Sequence, residues 1–406
     1  MLPWNHDFRR RVVNFGANSS DSSTAERRRP NSTMSDAPPS EPRDAPKGAV
    51  VVVGSANVDL VMNPRDLPSP GVTVLAPSYK LLPGGKGANQ AYACAKLGCE
   101  SVRFIGATGD DDFSKLVLGN LEAAGVDVTG VAKRADHPTA CASVVVDARG
   151  ENQICVGSGA NAAVAADQLD GRIARGDVLL MQMEVPTPTL EACVAKAKAC
   201  GAAVAVNVAP SANASAVGVD VYRAVDFLIV NQHELKDVCD AVGAHHPTAS
   251  PPTSSAAADL AVFVARTTET IVVVTLGAAG AKLFLPRRPR GAPARVDRGD
   301  APETDVIAVD AAPLRDGEAI VDTVGAGDAF VGAFVARVAR GDSLILCAAV
   351  AAAAGTMACT REGAQGGTHG AADVEERSRS VGMSADWGRG SEPASEHLHA
   401  PAVDWI

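Results

Sequence analysis

Residues 48–59 read GAVVVVGSANVD, an unbroken apolar run stopped by a glycine and followed by a short polar segment. Four consecutive valines offer no polar face to water, so a strand made of them must be covered on both sides. The same pattern returns in DVLLMQME at 177–184, AAVAVNV at 202–208, AVDFLIVN at 224–231 and TIVVVTLG at 270–277. SVRFIGATG at 101–109 is strand-like too, and ANQAYACAKLG at 88–98 reads as a helix with an alanine-rich buried face. Helical stretches intervene at 111–124, 188–200, 256–268 and 327–340. Strands that are apolar throughout and alternate with helices predict an α/β fold of three layers, a mostly parallel sheet with helices on both faces. Segments 58–82 and 138–157 alternate with period two instead, as in VTVLAPSYK and ACASVVVDARGENQICV. They predict a small antiparallel sheet projecting from the main layer.

The chain of 406 residues is 46% apolar, enough for a sizeable core and too apolar for global disorder. Its formal charge of −10 argues against a nucleic-acid backbone as principal partner, although a local nest of N–H groups can still bind phosphate. Aromatics are only 4%, so Ala, Val, Leu and Ile must build the core. The nine cysteines contain no CxxC and no zinc-like spacing with histidine, and read as reduced thiols of an intracellular protein. No apolar stretch is long enough, free of breakers and charges, to predict a membrane span.

The first 48 residues carry Arg9–Arg11, a Ser/Asn stretch, Arg27–Arg29 and several prolines, and cannot bury a core. They are either a targeting segment or a disordered extension, with Met34 a second possible start; no apolar region marks a secretory signal. Cytoplasm is the expected location. Residues 371–406 read as an irregular tail, in which His397 and His399 are either a metal pair or loose residues. The folded unit is therefore expected over 49–370, with loops 243–256 and 287–319 as surface insertions.

Polar residues at strand and helix ends mark the chemistry. Gly84, Gly85, Lys86, Gly87, Ala88, Asn89 and Gln90 precede and open a helix, where glycines can present N–H groups to a ligand or simply make a demanding turn. If the segment is extended, Asn57 and Asp59 point the same way and can hold vicinal hydroxyls, amide donating and carboxylate accepting; otherwise Asp59 is a turn or cap residue. Glu184 ends a strand, where open α/β sheets bind ligands. Asn231 and Glu234 either hold a hydrated Mg²⁺ or form a capping box, and the two roles are compatible. Thr275, Gly277 and Gly280 form a nucleotide-contacting loop or a hairpin. In VDTVGAGDAF at 321–330, Gly325, Ala326 and Gly327 start a helix whose free N–H groups make an anion hole. Asp328 beside them can take a proton from a hydroxyl while the hole holds a phosphoryl group, or else caps the helix.

Asn57/Asp59, GGKGANQA at 84–91, NxxE at 231–234, DTVGAGD at 322–328 and TREGAQ at 360–365 stand in the order found in the PfkB group of sugar kinases. GGKGANQA together with TREGAQ resembles the ribokinase-like members of that group, over roughly residues 49–368. The resemblance implies a lid of β-strands that closes over the sugar and often makes a homodimer contact. It implies ATP-dependent phosphorylation of D-ribose at the 5-hydroxyl, with another sugar or a nucleoside as the alternative substrate and a catalytically silent sugar binder as the alternative class. It places Asn57, Asp59, Gly84, Gly85, Lys86, Asn89 and Glu184 at the sugar, with Asp328 as base. Asn231, Thr275, Gly277 and Gly280 fall near the nucleotide, and Glu234 supports Mg²⁺ through water. Asp322 and the carbonyls of Val324, Ala358, Arg361 and Gly363 hold a monovalent cation, typically K⁺. One departure concerns that cation: where the group has a proline and a serine after GAQ, this chain has Gly366, Gly367 and Thr368, so a weaker cation response is expected.

Overall fold

The four valines form strand β1 (Val50–Val53) in the computed structural model, which describes residues 48–244, 255–286 and 304–386. The chain continues through β2 (Asn57–Met62), β3 (Tyr79–Gly84), α1 (Lys86–Lys96), β4 (Val102–Ile105), β5 (Ala107–Gly109), α2 (Asp112–Ala123), β6 (Ala132–Arg134), β7 (Ala140–Val146) and β8 (Asn152–Gly157). Next come β9 (Val178–Met181), α3 (Thr187–Cys200), β10 (Ala203–Asn207), α4 (Val219–Ala224), β11 (Phe227–Asn231), α5 (Gln232–Ala244), α6 (Ala257–Thr268) and β12 (Ile271–Thr275). The last third holds β13 (Ala281–Pro286), β14 (Thr304–Val309), α7 (Ala326–Ala339), α8 (Leu344–Ala358), α9 (Ala371–Ser378) and β15 (Met383–Asp386). The arginine-rich segment up to residue 47, the pair His397 and His399, and residues 245–254 and 287–303 of the expected insertions lie outside the described residues.

Among the described residues the main sheet has nine strands in the order β15-β14-β13-β12-β11-β10-β9-β1-β4. The six from β12 to β4 are parallel, and β13, β14 and β15 are antiparallel. Alternation within each strand sorts side chains into two layers. Val50 and Val52 join Phe104, Leu180 and Phe227 beneath α1, α7 and α8. Val51 and Val53 join Ile105, Leu179 and Leu228 beneath α3, α5 and α6. Both faces are dry, which is why the strands read as continuous apolar runs. All nine cysteines are free thiols, and five of them are buried.

The second sheet has the order β3-β2-β7-β8. Its two outer pairs are antiparallel, but the central pair β2–β7 is parallel, so the projecting sheet is mixed rather than antiparallel. The reason is connectivity: β2 leads out of β1, and after β3 the chain passes through α1, β4, β5, α2 and β6 before β7, a crossover long enough to bring β7 back parallel to β2. The segment 101–109 also divides, at Gly106, into β4 of the main sheet and β5, which pairs with β6 in a separate two-stranded sheet.

Two expectations fail at the C-terminal side. Residues 304–309, read as insertion, form β14, whose partner β13 lies next to β12. Residues 371–386, read as irregular tail, form α9 and β15. Helix α9 buries Val374, Arg377 and Ser378, at the i, i+3, i+4 spacing of one helix face, and β15 pairs with β14. A single valine beside an arginine is too weak an apolar stripe to read as a core helix. The arginine is buried because its guanidinium donates to the Pro313 carbonyl at 2.9 Å and to Glu318 at 2.6 Å.

One close approach sets the distance between the two motif helices. At Gly332 of α7 a Cβ would lie 2.5 Å from the Cβ of Ala93 on α1, so only glycine lets the helices meet there. The Cys94 thiol donates to the Gly332 carbonyl at 3.3 Å across the same contact. This seats the first turns of α1 and α7 side by side at the carboxyl ends of the parallel strands.

Candidate active site

Helix α7 starts at Ala326, with Gly325 as its cap at φ 78°, a conformation that favours glycine. A Cβ on Gly325 would also strike Ala364 at 2.4 Å, so the helix start is packed against the TREGAQ loop. The N–H of Ala326 reaches the Thr323 carbonyl at 3.3 Å; those of Gly325, Gly327 and Asp328 have no acceptor among the described residues. Free N–H groups at a helix start form an anion-binding cradle.

Asp328 is buried beside that cradle. Its Oδ2 accepts from the Asn89 amide at 2.9 Å and its Oδ1 from the Gln90 amide at 2.9 Å. Residues 239 and 238 positions apart in the chain thus meet through the α1–α7 contact. Asp328 lies in the first helical turn, but the hydrogen bonds to its carboxylate come from α1, so it is not a cap.

The projecting sheet supplies the facing wall. Asn57 and Asp59 stand on one face of β2, opposite Gly84 and Leu82 of β3. Asn57 accepts from the Asn161 amide at 2.7 Å, and the Asp59 carboxylate lies against Gly84. Burial pushes the Asp59 carboxyl up to about 6, with Glu184 and Asp328 adding to the rise and Lys86 opposing it. Glu184 lies just beyond the end of β9 rather than in the strand, and accepts from the Ser55 hydroxyl and from the Lys86 backbone N–H at 3.1 Å. It therefore joins the end of β1 to the start of α1. Burial works against the Lys86 ammonium, but Asp328, Glu184, Glu234 and Asp59 outweigh it and hold the group above the ordinary lysine value. That ammonium makes no ion pair within 4.0 Å among the described residues, so one cation stands amid four carboxylates.

The expected nucleotide side lies along the same sheet edge. Asn231 and Thr275 are register partners at the ends of β11 and β12. Asn231 accepts from the N–H groups of His233 at 2.8 Å and Glu234 at 2.9 Å, and its own N–H donates to Glu234 at 2.8 Å, a complete capping box. Burial raises the Glu234 carboxyl. Gly277 and Gly280 lie in the turn joining β12 to antiparallel β13, so the hairpin reading of this loop is correct as topology.

Asp322 ties the two halves of the expected cation loop together, accepting from the N–H of Val324 at 2.9 Å and of Gly363 at 2.8 Å. Arg361 follows one turn after Ala358, its N–H 3.4 Å from that carbonyl. A Cβ on Gly367 would lie 2.6 Å from the Ala358 oxygen and 3.1 Å from that of Gly363, so those two carbonyls converge on the space beside Gly367. The Thr368 N–H donates to the Gln365 carbonyl at 3.2 Å. Among the described residues no three His, Cys, Asp or Glu side chains converge as a metal-ligand group.

Several members of the site escaped the sequence reading. Gln90 stands inside GGKGANQA, where the sequence shows no role for its amide. Gln182 and Asn207, both buried, lie at the carboxyl ends of apolar strands, and Gln365 and Asn161 complete the shell. The available signal was an amide in an otherwise apolar strand end, as in LLMQ and AVAVN.

A buried carboxylate beside free helix-start N–H groups, faced by an amide and a carboxylate on a projecting sheet, is apparatus suited to phosphoryl transfer to an alcohol. The chain belongs to the pfkB family of carbohydrate kinases, which its residues 47–369 match. It is 30% identical to the ribokinase of Schizosaccharomyces pombe over 78% of this chain and 93% of that protein, and 30% identical to the ribokinase of Bacillus subtilis over 80% and 98%. Its fold is that of the Arabidopsis thaliana ribokinase solved with ribose and ATP, with a TM-score of 0.66 at 28% identity over 82% of this chain and 99% of that one. The protein is thus a kinase with the three-layer fold of ribokinases. No helix among the described residues is long and apolar enough to cross a membrane.

Proposed function

We propose that this protein transfers the terminal phosphoryl group of ATP to the 5-hydroxyl of D-ribose, giving D-ribose 5-phosphate. The observation that carries the reading is the buried Asp328 carboxylate, held by Asn89 and Gln90 beside the free N–H groups of Gly325 and Gly327. Asn57, Asp59, Gly84, Gly85, Asn89 and Glu184 line the sugar side. Asn57 and Asp59 offer an amide and a carboxylate for vicinal hydroxyls, and Asp328 takes the proton of the attacking hydroxyl. Charge on the transferring group is met by the 325–327 N–H groups and by the Lys86 ammonium. Asn231, Thr275, Gly277 and Gly280 line the nucleotide side. Solved ribokinases with ribose and ATP support this choice of ligands.

Two metal ions fit the residues present. One oxygen of Glu234 is bonded to the Asn231 N–H, which leaves the other for the water shell of Mg²⁺. When bound, Mg²⁺ would neutralise phosphate charge. The Ala358 and Gly363 carbonyls converge on one space, and with Asp322, Val324 and Arg361 they offer oxygens of the kind a monovalent cation such as K⁺ takes.

A homodimer through the lid is the assembly this reading favours. Val156 of β8 pairs with Ala142, which pairs with Asp59, so Val156 and Ile154 share the sugar-facing side of the sheet. They are 47% and 55% exposed, an apolar edge suited to a second lid.

The test is a panel of ribose, 2-deoxyribose, fructose and nucleosides with ATP and Mg²⁺, in potassium, in sodium and in neither. Ribose should give the highest kcat/KM, and potassium should raise the rate. Asp328→Asn should bind ribose yet lower kcat by about two orders of magnitude or more, as loss of a general base does. Turnover of a nucleoside with none of ribose overturns the substrate, and sugar binding with no phosphorylation of any acceptor overturns the reaction.

A further inference from the structure

We infer that Gln90 is the positioning residue that sets the orientation of the Asp328 carboxylate, and that Gln182 and Asn207 orient it in turn. The inference rests on the reading of Asp328 as the base. Polarity along this chain of amides starts at a backbone group that cannot turn. Asn207 Nδ2 donates to the Ile229 carbonyl at 3.1 Å, so Asn207 Oδ1 must face the other way. There it accepts from Gln90 Nε2 at 2.9 Å. The same Nε2 donates its second proton to Asp328 Oδ1 at 2.9 Å, and Gln90 Oε1 accepts from Gln182 Nε2 at 2.7 Å. Both protons of the Gln90 amide are committed. Turning it over would set its oxygen against Asp328 Oδ1 and Asn207 Oδ1 together.

Gln90 and Gln182 are fully buried. Gln182 Oε1 has no hydrogen-bond partner in this structure. A buried orphan oxygen costs free energy, and its persistence indicates that the donor end of Gln182 is what the site uses. A parallel chain reaches the other carboxylate oxygen. Asn120 donates to Gln365 Oε1, Gln365 Nε2 to Asn89 Oδ1 at 3.0 Å, and Asn89 Nδ2 to Asp328 Oδ2. Each carboxylate oxygen therefore gives one lone pair to an amide proton whose direction is set from afar. Free lone pairs remain to meet the sugar hydroxyl. Rotation of Asp328 about its last bond breaks both amide contacts at once.

The variants that test this are Gln90→Met, of similar length with no donor, Gln90→Glu, and Gln182→Met, which leaves Gln90 in place without its tether. Each is made in the full chain and assayed on the best acceptor of the panel, with Asp328→Asn alongside. Gln90→Met should lower kcat about 10- to 100-fold with KM for both substrates within about threefold, because a donor to a charged group is lost while ligand contacts remain. The acid limb of the kcat–pH profile should move up, since a carboxylate stripped of a donor is easier to protonate. The charged groups that interact with this carboxylate, Lys86, Asp59 and Glu234, are unchanged in that variant. Gln90→Glu should raise the limb further, and Gln182→Met should shift it in the same direction by less. A purely structural role would lower the melting temperature and leave the limb in place. Unchanged kcat and an unmoved limb in folded Gln90→Met, or in Gln182→Met should the former not fold, overturn the inference. Wild-type turnover by Asp328→Asn would instead overturn the base on which it rests.

Discussion

At the scale of single residues, Asp59 shows how the site couples function to stability. Its folded carboxyl titrates near 6, raised by burial and by Glu184 and Asp328, above the ordinary value near 4. The folded protein therefore binds more protons than the unfolded chain between about pH 4 and pH 6. The stability from this group is complete below that window and is lost as pH rises through 6. Asp59→Asn should raise the melting temperature at pH 7.5 while weakening ribose binding, with ATP binding little changed. Differential scanning calorimetry and titration of each ligand check the two halves. On the proposed reading Asp59 accepts from the sugar in its ionised form, so ribose affinity of the native protein should fall below about pH 6. Glu184→Gln should shift that midpoint downward, because it removes a charge that opposes ionisation; a midpoint that rises or stays put contradicts the coupling. Asp59 and its partner Asn57 were legible as i, i+2 neighbours on one strand. Gln182 and Asn207 were not, because they act on a residue 92 and 117 positions away, which no local pattern shows.

At the scale of elements, two junctions carry the site. The start of α7 depends on Gly325, which has a left-handed conformation and touches Ala364. Gly325→Ala should cost about 1–3 kcal/mol for the backbone alone, with the clash against Ala364 in addition. The cradle would tilt with it, so kcat should fall along with the thermal midpoint; full activity at wild-type stability would show that the junction tolerates a side chain. The second junction is the C-terminal pair α9 and β15. Arg377 on α9 holds Pro313 and Glu318, on the segment that leads into VDTVGAGD, and β15 covers the edge of β14. A chain ending at Gly370 should melt well below one ending at Asp386, measured by circular dichroism, since the first removes the buried Val374 and Val381 and leaves Glu318 without its arginine. Equal melting temperatures would restore the boundary at 370 that the sequence suggested. The helix was illegible because a buried arginine in an ion pair looks, in sequence, like an exposed one.

At the scale of the whole molecule, the projecting sheet is tied to the TREGAQ loop. Lys80 on β3 bonds both oxygens of Glu362, at 2.5 and 2.7 Å, across 282 positions of chain. Both side chains are half exposed, so this pair contributes little to stability. On the same sheet, the exposed Val156 lies in the row that contains Asp59, and Ile154 lies two positions along the same face, in the row of Val61. Replacing both by aspartate should shift the protein from dimer to monomer in sedimentation velocity and raise KM for ribose more than KM for ATP. A wild-type protein that sediments as a monomer would remove this assembly.

The layers followed from the sequence because β-strand burial is a local property: strands apolar on both faces, alternating with helices, admit few arrangements other than a covered parallel sheet. That Asp328, Asn89, Asn57 and Asp59 belong to one site came from the family resemblance that the order of the motifs carries, not from any local pattern. Only the tertiary structure decided which atoms meet. The close approach at Gly332 brings Gln90 to Asp328, and the folded-back loop after α8 sets Gly367 against two carbonyls. Half-buried Lys86 finds itself among four acids drawn from separate segments. Hydrogen bonds and charges act over a few ångströms of space whatever their separation along the chain, and that spacing exists only once the core has closed.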